Sequence, residues 1–126
     1  MLIEPSNTQF HIISDQLSRF GVCHITRMES AEAALGGMIT SVPDLVISAM
    51  HLPDISGADL TVKMRDEYSL RDVGFILITS ETDVRYMEPI RKACVVAILL
   101  NRFAPVHLKR ALSTTQDFLE PYNINL

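Results

Sequence analysis

Short apolar runs rich in β-branched residues alternate along the chain with stretches where apolar side chains recur every three or four positions. The first pattern marks strands and the second helices. Leu2–Ile3 reads as the stub of a first strand. Between Asn7 and Phe20, the residues Phe10, Ile13, Leu17 and Phe20 share one face, which predicts a helix ended by Gly21. Val22–Ile25 is the expected second strand, and Ser30 has the position of an N-cap before AEAALGGMI, a helix weakened by Gly36 and Gly37. Pro43 introduces a third strand at Leu45–Ser48, and HLPDISG follows as loop. A helix is expected from Ala58 to about Tyr68, with Leu60 and Met64 inward. GFILIT, residues 74–79, is continuously apolar, as a strand is when both sheet faces are covered. A further helix over about 84–92, distorted by Pro89, leads to the strand VVAILL. Pro105 then opens a last helix that runs to Leu119, before Pro121.

Five strands alternating with five helices predict a single α/β domain, a five-stranded parallel sheet with helices on both faces. Residues 1–120 are assigned to it, and 121–126 to a C-terminal tail or the start of a linker to a further domain. Sheets of this kind bind and react at the carboxyl ends of their strands, which places the candidate site at 4–6, 49–52, 79–81 and 101–103.

Composition narrows the classes. The chain has 126 residues, 48% of them hydrophobic and 21% charged, enough for a core without staples. A net charge of −4 gives no general reason to bind nucleic acid or anionic membrane, and Lys63–Arg65 and Lys109–Arg110 read as solvated helix faces. Cys23 and Cys94 sit in apolar runs and are expected to be buried thiols rather than a disulfide framework. The start, MLIEPSNTQ, lacks the basic and apolar segments of a signal peptide, and the longest apolar run, Cys94–Leu100, is too short to span a bilayer. A cytoplasmic protein is expected.

Candidate chemistry is sparse. There is no glycine-rich phosphate loop, no G-x-S-x-G elbow and no H-E-x-x-H. His11, His24, His51 and His107 show no ligand spacing, and Asp54 reads as an exposed turn residue after Pro53. The hydroxyls of Thr79 and Ser80 have no evident activating base.

The stretch PDLVISAMHLPDISGADL carries Pro43, Asp44, Pro53, Gly57 and Leu60 at a spacing that resembles the receiver domains of two-component response regulators. ILITS and the segment from Ala93 to Phe103 match in spacing too, so the resemblance covers essentially the whole chain. It implies a flavodoxin-like, CheY-like (βα)5 fold. In that family an acidic pair after strand one and an Asp ending strand three hold Mg²⁺, a hard ion that wants oxygen ligands. The Asp attacks phosphorus, a Lys ending strand five neutralises developing charge, and a Thr or Ser ending strand four binds the phosphoryl group. Carried onto this chain, the acidic pair becomes Glu4 and Pro5, the phosphoacceptor position is Ala49, Thr79 is retained, and the Lys position is Asn101. Arg102 replaces the usual following proline, and Ile98 replaces the strand-five aromatic that couples to the Thr in members that switch. The charge losses fit together, since a family site near −2 falls to roughly −1 here and an orphaned semi-buried Lys would be costly.

The resemblance therefore implies a degenerate pseudo-receiver: not an enzyme, without a bound cofactor, with Mg²⁺ binding lost or weak. It would signal through protein partners or an attached output domain, and would contact neither nucleic acid nor membrane. Its expected interaction face is built from the fourth helix, fifth strand and last helix, with Tyr86, Met87, Ile90, Ile98 and Arg102 as candidate contacts and homodimerisation there as one option. Two alternatives stand beside it: a functional receiver carrying an engineered Asp→Ala change at position 49, or a flavodoxin-like domain that binds a small ligand in the emptied pocket. An engineer disabling the site would have had no reason to remove the Lys and the second acid as well.

Overall fold

The structure is a computed structural model that describes residues 1–80, 97–100 and 102–119, the side chains of 115–119 excepted. Five parallel strands, β1 (Leu2–Ile3), β2 (Arg27–Met28), β3 (Leu45–Ala49), β4 (Gly74–Thr79) and β5 (Ala97–Leu100), pair in the order β2-β1-β3-β4-β5. The described helices are α1 (Asn7–Arg19), α2 (Ala31–Thr40), α3 (Gly57–Asp66) and α4 (Pro105–Leu119), with a 3-10 turn at Tyr68–Leu70. The helix expected over 84–92, with Tyr86, Met87 and Ile90, lies outside the described residues, as do Cys94, Asn101 and the tail.

Alternation along the central strands divides the core in two. From β3 and β4, Val46, Phe75 and Leu77 join Ile3 and the inward residues of α2 and α3, among them Ala34, Met38, Leu60 and Met64. Leu45, Ile47, Ile76 and Ile78 point the other way, to Ile13 and Leu17 of α1 and Leu108, Ala111 and Leu112 of α4. The continuous apolar run of GFILIT is thus a strand buried at every position. Each such large side chain contributes about 1.5–3 kcal/mol on burial.

The helices start and stop where local chemistry directs. Ser6 and Ser30 cap α1 and α2, their hydroxyls accepting from Gln9 N at 3.3 Å and Ala33 N at 3.1 Å. After α1, Gly21 takes φ 88°, a left-handed conformation that glycine adopts without steric cost. α3 begins at Gly57 under a Ser56 cap and stops at Asp66, so the stretch expected to stay helical to Tyr68 instead tightens into the 3-10 turn. β3 runs one residue further than expected, to Ala49.

The second strand is a correction. Val22–Ile25 is not in the sheet, and β2 is Arg27–Met28, paired with Leu2 and Ile3. Val22 and Ile25 are apolar because they pack half-buried beneath the α1 side of the sheet, not because they pair in it. Cys23 faces solvent in this loop, its thiol donating to Gly21 O at 3.4 Å, so the expectation of a buried thiol fails there.

Candidate functional site

Parallel register brings the candidate residues to one end of the sheet. Ile3 pairs with Ser48, which sets Glu4 level with Ala49 on the neighbouring strand. Ala49 pairs with Ile78, and Thr79 follows it at the end of β4, opposite Leu100 of β5. Glu4, one residue past β1, therefore comes level with half-buried Ala49 and with Thr79, the last residues of β3 and β4, and Glu4 is 8% and Thr79 3% exposed. Ala49 contributes only a methyl group. Its carbonyl accepts from the buried Ser48 hydroxyl at 2.9 Å.

The β3–α3 loop closes tightly behind Ala49. Gly57 N donates to Met50 O at 2.7 Å, and a Cβ on Gly57 would lie 2.5 Å from Ala49 O and 2.7 Å from Leu77 Cδ1. Only glycine allows that approach. Within the loop, His51 is exposed and bridges to Ser56.

Asp54 does more than its reading as a turn residue suggests. Its Oδ2 accepts from Glu32 N at 2.7 Å, and its Oδ1 accepts from Ala31 N and Ile55 N, both at 3.0 Å. The carboxylate thus sits on the N-terminus of α2, where free N–H groups and the helix dipole favour negative charge. The Glu32 amide foremost, with those of Ala31 and Ile55, holds its carboxyl below the usual carboxylate range. Both oxygens of the loop's one carboxylate are committed to this cap.

Arg27 is a second contributor that sequence reasoning missed. From β2 its Nε and Nη2 donate to Glu4 O at 3.3 and 3.2 Å, and Nη2 reaches Pro5 O at 3.4 Å. The guanidinium also stacks 4.6 Å from the Phe10 ring centroid and lies 3.6 Å from Glu29. It clamps the backbone that follows β1. Glu4 itself accepts from Ser6 N through Oε2 at 3.1 Å.

A Mg²⁺ site of the family type does not fit this donor set. Pro5 and Ala49 supply no side-chain oxygen, and among the described residues no three His, Cys, Asp or Glu side chains group to hold a metal. On the β5 side, Ile98 is half-buried against the α2–α3 core, and exposed Arg102 takes φ 63°. Proline, fixed near −65°, cannot adopt that conformation.

A parallel sheet ordered 2-1-3-4-5, with Glu4, Ser48 and Thr79 buried at the carboxyl ends of its strands, defines the flavodoxin-like class. The chain belongs to the response regulator receiver domain family, whose profile matches residues 1–113. It is 26% identical over 113 residues to the chemotaxis protein CheY1 of Helicobacter pylori, covering 89% of this chain and 91% of that one. The polar-differentiation response regulator DivK of Brucella ovis is 25% identical over 119 residues, 94% of each chain. Among solved structures, the receiver domain of a Syntrophus aciditrophicus signal transduction histidine kinase aligns with a TM-score of 0.84 at 21% identity, over 99% of this chain and 95% of that one. The receiver domain of a Pseudomonas aeruginosa sensor histidine kinase, with a magnesium ion coordinated in its active-site cleft, aligns at 0.78 with 20% identity over 93% of each chain. No helix among the described residues is long and apolar enough to cross a membrane.

Proposed function

We propose that this receiver domain signals without phosphorylation, as a binding module of fixed conformation. The observation that carries the reading is Ala49: the strand end that lies between Glu4 and Thr79 holds a methyl group, and the nearby loop carboxylate of Asp54 is spent on the α2 cap. Ala49 offers no nucleophile and Pro5 no second carboxylate, so neither phosphoryl transfer nor tight Mg²⁺ binding is expected. No covalent ligand then biases a two-state equilibrium, and control passes to partner binding, oligomerisation or abundance. Partners or an attached output domain would use the β5 edge, with Ile98 and Arg102 among the contacts and Tyr86, Met87 and Ile90 as further candidates from the sequence.

Acetyl phosphate or beryllofluoride with Mg²⁺ tests this directly. The amide spectrum of the protein should not change, and mass spectrometry should find no phosphoryl adduct. Ala49→Asp alone should not restore phosphorylation, because Pro5 and Asn101 still lack the second acid and the cation. A saturable shift around Thr79 and Ala49 in the unaltered chain would overturn the reading.

A further inference from the structure

At the opposite edge of the sheet from β5, the structure exposes an apolar surface that the site does not use. After Glu32, α2 and the residues that follow carry no charge as far as Val42. Ala34 and Met38 face the core, yet Ile39 is 87% and Val42 48% exposed. Large apolar side chains grouped on an exposed surface are ordinarily covered by a partner, and Ile39 and Val42 lie uncovered here. Beside it runs a groove of about 480 Å³, floored by Met38 and Leu70, with Ile39 on its lip and Lys63, Asp66 and Glu67 on the far wall.

We propose that a second copy of this chain covers the surface, with Ile39 of each copy entering the groove of the other about a two-fold axis. The charges favour this occupant. In a two-fold interface the same patch meets itself, so it must be self-complementary. The far wall carries both signs, and no ion pair engages Lys63, Asp66 or Glu67 among the described residues. A two-fold can set Lys63 of one copy against Asp66 and Glu67 of the other. The uncharged stretch of α2 brings no like charges together at the axis. Gly36 favours close approach as well: it is exposed, and a Cβ there would meet nothing within 4 Å of its own chain. Dimerisation through α2 leaves the β5 edge free, so this inference stands independently of the proposed loss of phosphorylation.

Sedimentation equilibrium of the whole chain, from about 1 µM to about 1 mM, spans the affinities open to an interface of modest area. A concentration-dependent dimer is expected, and Ile39→Asp should weaken it at least about tenfold, as loss of a central apolar anchor does. Circular dichroism of that variant should match the parent, because the side chain is exposed. Lys63→Glu should weaken the dimer, and adding Glu67→Lys should restore it. A monomer throughout the range would overturn the proposal. So would a dimer indifferent to Ile39→Asp but broken by Val106→Glu, at a 55% exposed position on α4.

Discussion

Asp54 and Arg27 illustrate how single residues hold the carboxyl end of this sheet in shape. Each reaches about twenty positions through the chain to satisfy backbone groups, Asp54 from the β3–α3 loop to α2 and Arg27 from β2 to the residues after β1. The lowered carboxyl of Asp54 fixes the sign of a pH dependence. Its folded value lies below the unfolded one, near about 3.9, so the stabilisation is fully present above the unfolded value. It is lost as pH falls through the folded value. Urea unfolding of the parent and of Asp54→Ala should therefore differ by a constant amount from about pH 7 to about pH 5, with the gap closing below about pH 4. A gap that stays constant to about pH 2 would mean that the charge contributes nothing to the cap. Sequence could not reveal this role, because a cap supplied from another element leaves no local spacing. The placement of Ala49, Glu4 and Thr79 at one end of the sheet, by contrast, is legible from the chain alone, since strand ends in a parallel sheet converge by topology.

Among the elements, legibility follows burial. GFILIT and LVIS are surrounded on both faces; the first coincides with β4 and the second with all but the last residue of β3. β2 is an edge strand of two residues whose Arg27 stays partly buried by lying along Phe10, so polar character hides it while the neighbouring Val22 and Ile25 imitate a strand. The paired glycines of α2 separate in the same way. Gly37 is tight against the sheet, where an added Cβ would lie 2.6 Å from Met28 Cε. Gly36 faces open space, and its only intrinsic effect is poor helix propensity. Gly36→Ala should stabilise the protein by about 0.5–1 kcal/mol, measured by urea unfolding at concentrations where the chain is monomeric. Gly37→Ala should not show that gain, since the Met28 side chain has to move.

For the molecule as a whole, the decisive feature is that β3 and β4 serve both cores. Val46, Phe75 and Leu77 face α2 and α3, while Ile47, Ile76 and Ile78 on the same two strands face α1 and α4. Neither half can loosen without disturbing the strands that support the other, which predicts one cooperative unit. Native-state hydrogen exchange offers the measurement. Amides of Ile47 and Ile76, from the central strands, should exchange only through global unfolding, whereas Glu4 N, bonded at 2.9 Å to Met28 O of the edge strand, should exchange by local opening. Phe75 is fully buried on the α2–α3 side. Phe75→Ala should lower the protection of Ile47 and Ile76, on the opposite face, by the full loss of global stability, about 3–5 kcal/mol. The Glu4 amide should respond far less. If the variant instead weakened only the α2–α3 side and left the α1–α4 face at its original protection, the two faces would be separable. The fixed conformation proposed for this receiver would then have no single packed body to maintain it.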